Sequence, residues 1–243
     1  MRFKPALKYQ IYEAKKQIII FYIAAILFYT LMAISMGGLI NSGARVTISG
    51  LEAASIIFLF VFGLNSHKSA FHMMMANGVS RKTFFRSFLA SAAAVSIGMA
   101  VINSLIGVIL KQFIDYRTIF EQLRHGYTAY GAAFFGMELL WQFYCYISAV
   151  IVGHFITTLF YRMNKTVKLL VSIGAPVFFL IVLPIIDSNL FDGAVYNAIG
   201  RFFSYISGLH SQNAPISICL KSASLALWTG LSYITLRRAP VKA

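Results

Sequence analysis

The chain has 243 residues, 59% hydrophobic and 12% charged, and a formal net charge of +14. A soluble domain carries about 25% charged residues, so this composition excludes an ordinary soluble fold. The basic excess then reads as a membrane-facing bias rather than a nucleic-acid footprint.

The amino-terminal stretch 1–17 is predicted to be a basic amphipathic helix. Leu7, Ile11, Ala14 and Ile18 recur at helical spacing, with Phe3 one turn earlier, and Lys4, Lys8, Lys15 and Lys16 fall mainly elsewhere on the wheel. Such a helix suits the headgroup layer of a membrane. Beyond it, six segments approach the ~20 apolar residues that one crossing needs: about 18–40, 46–66, 87–110, 132–160, 167–186 and 215–236. The first exceeds a signal-peptide core of about 7–15 residues and reads as an uncleaved span. The second is the weakest, with Glu52 inside it and Asn65-Ser66-His67-Lys68 at its end. The fourth is longer than a crossing requires, which implies tilt or continuation beyond the membrane. The fifth carries Pro176 and Pro184, and each removes a backbone donor, so helix kinks are expected there.

Two connections are too apolar for plain loops. In 111–131, Phe113, Tyr116, Phe120, Leu123 and Tyr127 share a helical face. In 187–214, Leu190, Ala194, Ile199, Phe202, Phe203 and Ile206 predict short half-membrane helices before the sixth span. No repeat or linker divides residues 1–243, so a single all-α membrane domain is expected.

Charge sets the orientation. With the amino terminus inside, the inner segments hold 15 basic residues: Arg2, Lys4, Lys8, Lys15, Lys16, Lys68, Arg81, Lys82, Arg86, Arg162, Lys165, Lys168, Arg237, Arg238 and Lys242. The outer segments hold five, Arg45, Lys111, Arg117, Arg124 and Arg201. This bias supports six spans with both termini cytoplasmic and a cell-membrane location.

Catalytic signatures are missing. The chain has no GxxxxGK[ST] phosphate loop, no HExxH and no convergent catalytic set. Cys145 and Cys219 lie in apolar runs and supply neither a disulfide framework nor a metal motif. Of the histidines, His67 and His72 are poorly spaced for a shared metal. His154 has no histidine at matching depth in another span, which argues against haem. No catalytic residue, metal or cofactor is therefore assigned to this chain.

Two charges sit within spans, Glu138 in the fourth and Lys221 in the sixth, each roughly 9 Å below the outer end at the helical rise. Their matched depth allows an ion pair beside a substrate path. Alternatively, each snorkels separately to the headgroups. Asn103 and Gln142 suit hydrogen bonds between helices. Trp141, Phe143, Tyr144 and Tyr146 either line a greasy path or meet lipid and neighbouring helices.

The most informative segment is the basic break Met75-Ala76-Asn77-Gly78-Val79-Ser80-Arg81-Lys82-Thr83-Phe84-Phe85-Arg86. Gly78 can end one helix and Ser80 can cap the next. Arg81, Lys82 and Arg86 hold the segment at an interface, and Phe84 and Phe85 give it an apolar face. It resembles the GxSRxxFF pattern between the second and third spans of ABC-2-type transporter permeases, and the layout of the whole chain is similar to that family. The compact size looks most like small Gram-positive permeases for antimicrobial peptides or envelope-active compounds. The resemblance implies that Gly78, Val79, Ser80, Arg81, Lys82, Phe84, Phe85 and Arg86 form a coupling helix docked on an ATPase. It further implies that ATP and Mg are bound by that partner, and that a second permease, alike or different, completes the exporter. A secondary transporter should show repeated halves and several buried acids. That class and a non-transporting sensor or immunity protein are the alternatives.

Overall fold

The computed structural model describes residues 3–41, 47–66, 68–113, 115–123, 131–191, 193–206 and 214–237. Arg2, Arg45, His67, Arg124, His125, Tyr127, His210, Arg238 and Lys242 lie outside them. The chain forms α1 (Phe3–Asn41), β1 (Thr47–Ile48), α2 (Leu51–Asn65), α3 (Lys68–Ala76), α4 (Arg81–Phe113), β2 (Asp115–Tyr116) and α5 (Ile119–Leu123). It continues through α6 (Ala132–Arg162), α7 (Lys165–Val177), a π-helical turn (Phe178–Val182), α8 (Leu183–Leu190), α9 (Ala194–Ile206) and α10 (Ala214–Arg237). The two short strands pair in parallel, Thr47 with Asp115 and Ile48 with Tyr116, and tie together the connections after α1 and after α4. Among the described residues, four stretches are long and apolar enough to cross a membrane: Phe3–Met32, Arg81–Gln112, Phe134–Arg162 and Lys165–Asn189. Helix α2 is a shorter apolar helix of 15 residues.

The separate helix expected over 1–17 is not formed. Residues 3–41 make one unbroken helix of 39 residues, about 58 Å long at the helical rise. The reason is local: no glycine or proline interrupts the sequence between Ala6 and Met36. The inward face follows the expected Leu7–Ile11–Ala14–Ile18 stripe only in part. Ala14 is buried, with Ala6 and Gln10, and Ile18 packs against the core, whereas Ile11 is 39% exposed and Tyr12 76% exposed. The small Ala6 and Ala14, two turns apart, let α1 lie close to its neighbours.

Helices α1, α2, α4 and α6 enclose the central core, where Ala14, Leu59, Phe62, Phe88, Val95, Met99, Tyr146 and Val150 meet. The most extensive pairing is α2 on α6, followed by α10 on α6 and α1 on α4. Glycines explain the first. A Cβ on Gly63 would stand 2.2 Å from the Val150 carbonyl oxygen, and one on Gly153 would stand 2.3 Å from the Phe60 carbonyl oxygen. The two backbones touch, as small-residue helix contacts in membranes allow.

One amide links four helices at the centre of this core. Asn103 Nδ2 on α4 donates to Ser55 Oγ on α2 (2.8 Å) and to Tyr146 Oη on α6 (2.6 Å), and Asn103 Oδ1 accepts from Tyr22 Oη on α1 (2.9 Å). Interhelical bonds of this kind average about 0.6 kcal/mol, so Asn103→Leu is expected to cost about 2 kcal/mol. Reversible unfolding of the purified protein in mixed micelles checks this, and an unchanged midpoint would remove Asn103 from its central role.

The fifth apolar segment bends without a break. Between Pro176 and Pro184, residues 178–182 adopt a π turn, and the Leu183 amide donates to the Phe178 carbonyl five residues back. A proline cannot donate and crowds the carbonyl four residues earlier. The π turn absorbs that mismatch by shifting the hydrogen-bond register. At the end of α8, Asp187 is buried and its carboxylate accepts from the Val195 and Tyr196 amides at 2.9 and 2.7 Å. With Gly193 at φ +79°, this folds the chain back into α9, one of the short helices expected before the last long helix.

Candidate functional site

Ala6 of α1 and Leu236 of α10 share one buried cluster, so the described ends of the chain emerge together. Lys4, Lys8, Arg81, Lys82, Arg86 and Arg237 lie on the elements gathered there, which makes this the basic end of the bundle. Helix α3 closes with two backbone bonds, Val79 N to Met74 O and Gly78 N to Met75 O, both 3.0 Å. Gly78 has φ +71°. These are the 6→1 and 5→2 bonds of a Schellman stop, and Val79 and Met74 supply its apolar contact. Ser80 then caps α4, its Oγ accepting from the Thr83 amide at 3.2 Å. Residues 77–80 are thus a turn between α3 and α4, and the short helix of this region is Lys68–Ala76, just before the segment that the sequence singles out.

The roles expected of the two phenylalanines change. Phe84 is fully buried and Phe85 nearly so, packed among Phe71, Met74, Val79 and Leu236. Phe84 meets Phe71 edge-on at 5.4 Å, and Phe85 lies 5.3 Å from Tyr233. The apolar face of the segment turns into the protein because α1, α3 and α10 cover it. Arg81 reaches across the sequence, Nη1 donating to the carbonyl of Arg237 at 2.8 Å. This charge-assisted bond satisfies an orphan carbonyl at the end of α10. Exposed on the outside are Met73, Ala76, Asn77, Gly78, Ser80, Lys82 and Arg86. The segment presents a polar, basic surface held rigidly by an aromatic anchor.

His154, fully buried on α6, supports the anchor from within. Its ring stacks on Phe88 at 4.0 Å. Nδ1 lies 3.0 Å from Ser66 Oγ, and that hydroxyl donates to the Gly63 carbonyl at 2.7 Å. Since the serine proton is used there, His154 Nδ1 is the donor to Ser66. Thr157 adds a bond to the Leu64 carbonyl at 2.6 Å. Together they satisfy the end of α2, a structural role for a histidine that the sequence left unassigned. Among the described residues no group of His, Cys, Asp and Glu could hold a metal ion.

The opposite end mixes acidic and basic groups. Thr118 and Glu121 form a capping box on α5, with Thr118 N donating to Glu121 Oε2 (3.1 Å) and Glu121 N to Thr118 Oγ1 (3.2 Å). Lys111 bridges to Glu121 Oε1 at 2.6 Å. Glu52, buried in the first turn of α2, accepts from the Ile119 amide at 3.2 Å. Burial, with Glu52 nearby, raises the pKa of the Tyr116 hydroxyl. It therefore remains a donor, and it lies beside the Glu52 carboxylate.

Glu138 and Lys221 are both buried, yet they do not pair. Gln142 Nε2 donates to Glu138 Oε1 at 3.4 Å. Lys221 Nζ donates to Cys145 Sγ at 3.2 Å and lies 4.8 Å from the centre of the Trp141 ring. Trp141 and Cys145 stand one and two helical turns beyond Glu138 on α6, so the lysine meets that helix away from the carboxylate. Cation–π and thiol contacts hold the ammonium instead. The exchange Glu138→Lys with Lys221→Glu is therefore expected not to rescue either single variant, as read by the amount of folded protein in the membrane. Recovery to the wild-type level would restore the ion pair. Trp141 and Tyr146 are buried between helices, while Phe143 and Tyr144 are half-buried and meet edge-on at 5.4 Å.

The long apolar helices fit a multi-pass membrane protein. Comparison with protein-family models, with characterised proteins and with solved structures returned no match.

Proposed function

We propose that the chain is the membrane-spanning subunit of a bacterial ABC exporter of the ABC-2 type, in the cell membrane. It crosses six times with both termini cytoplasmic, and it pairs with a second permease and with separate ATPase subunits that bind ATP and Mg. The observation that carries this reading is the unit Lys68–Arg86. A short helix, a Schellman stop and a capped helix start expose Met73, Lys82 and Arg86, while Phe84, Phe85 and Arg81 fasten them to three other helices. A push on that surface reaches α1, α4 and α10 directly, as coupling to a motor requires.

Two further observations agree. The basic end gathers the start of α1 and the end of α10, in keeping with the charge bias. The segment Lys165–Asn189 buries none of its most apolar window within the chain, which leaves that window for lipid and a second permease. The substrate proposed is amphipathic or lipid-soluble, such as a peptide antibiotic or an envelope-active compound.

A secondary transporter is the second reading. It is favoured by buried carboxylates at Glu52 and Glu138. Affinity purification from the native membrane separates the two. An associated ATPase chain is expected, and a permease recovered alone in every mild detergent overturns the exporter reading.

A further inference from the structure

Along the basic-end half of the bundle, α1 and α4 run side by side in the same direction. Gln10 accepts a bond from Ser91, and Tyr22 donates to Asn103 twelve residues further along each helix. Between them lies a shallow apolar groove of about 240 Å³. Its walls include Ile11, Ile18 and Ile19 from α1 and Val95, Gly98 and Ile102 from α4. A Cβ on Gly98 would meet no atom within 4 Å, so the groove is open at that point. Lys15, exposed, is the one charged residue among the lining side chains. The nearby acid on α1, Glu13, lines a different small cavity with Gln10, Ser66 and Ser91, and so does not face Lys15 in the groove.

We propose that this groove binds an acyl chain of an anionic glycerophospholipid whose phosphate rests on Lys15. Lys15 and Lys16 immediately precede the long apolar run of α1, which sets their ammonium groups at headgroup level, with stems free to snorkel. Beyond them, Val95 to Ile102 spans about 10 Å of apolar wall at the helical rise, the reach of part of a lipid tail. Charge selects the occupant. Lys8, Lys15 and Lys16 are exposed on the same helix, and basic residues near a membrane surface attract anionic lipid. A second copy of this chain, at +14, would set Lys15 against a like basic surface across a two-fold contact. The leaflet, the inner one, follows from the orientation proposed above. Binding itself does not depend on an ATPase partner, so either idea can fail without the other.

Native mass spectrometry of the full chain, released from nanodiscs of mixed phosphatidylglycerol and phosphatidylcholine, tests the site. The wild type is expected to retain phosphatidylglycerol in preference to phosphatidylcholine. Lys15→Gln should lower that preference on the order of fivefold, the effect of one surface cation. Gly98→Leu places a side chain in the notch from a Cβ that meets no neighbour, so it should abolish retention at unchanged helical content by circular dichroism. Equal retention of the two lipids, undiminished phosphatidylglycerol in both variants, or a dimer without lipid that both variants dissociate would overturn the proposal.

Discussion

Replacing Gly153 by valine is expected to separate α2 from α6 and to give a large loss of stability. The added Cβ would stand 2.3 Å from the Phe60 carbonyl oxygen and 2.9 Å from the Leu64 amide nitrogen. Both obstacles are backbone, so no side chain can rotate away. Overpacking a well-filled core typically costs 1–3 kcal/mol. Moving a whole helix also weakens the bonds from Thr157 to Leu64 and from His154 to Ser66, so about 3 kcal/mol or more is expected. Gly63→Val should behave alike, because its Cβ would meet the Val150 carbonyl oxygen. Gly230→Ala, with nothing within 4 Å of the added carbon, serves as the tolerated control. The unfolding midpoint in mixed micelles reads all three, and a Gly153→Val protein as stable as the control would refute the backbone contact.

The second large effect separates anchor from surface. Phe84→Ala removes a fully buried ring beside Phe71, Phe85 and Leu236, and truncations of that kind cost about 3–5 kcal/mol. Such a variant should lose folded protein whether or not a partner is present. Lys82→Glu with Arg86→Glu alters only exposed side chains and should leave the unfolding midpoint within about 0.5 kcal/mol of wild type. If the phenylalanine variant instead folds normally and fails only in partner association, Phe84 belongs on the docking surface after all.

These contrasts show where the sequence was legible. Gly78 and Ser80 announced a helix stop and a helix start, because each acts through its own backbone and near neighbours. Pro176 and Pro184 marked the disturbed helix for the same reason, although the disturbance is a π turn rather than a sharp kink. The bonding of Asn103 was expected in kind, but its partners Tyr22, Ser55 and Tyr146 lie 43 to 81 residues away, and nothing local selects them. Glycines 63 and 153 carried a signal that went unused, since a glycine inside an apolar helix costs stability unless a close contact repays it. Helical periodicity found Ala14 and Ile18 of α1 but missed Ala6 and Gln10, because small and polar residues on the buried face carry no hydrophobic signal. It misjudged Phe84 and Phe85 because a basic, aromatic segment at an interface reads the same whether its rings face inward or outward. Counting residues from the span ends put Glu138 and Lys221 at one depth, whereas the lysine meets the same face of α6 one to two turns further along, at Trp141 and Cys145.

The central claim is that a separate ATPase drives this chain through the surface around Lys82 and Arg86. Its most direct measurement is quantitative co-purification from native membranes, comparing wild type with the Lys82→Glu, Arg86→Glu double variant at matched membrane abundance. The account predicts an ATPase subunit in stable proportion with wild type and at least a tenfold loss with the double variant, both proteins remaining equally folded. An absent ATPase with wild type, or undiminished association with the double variant, would contradict it.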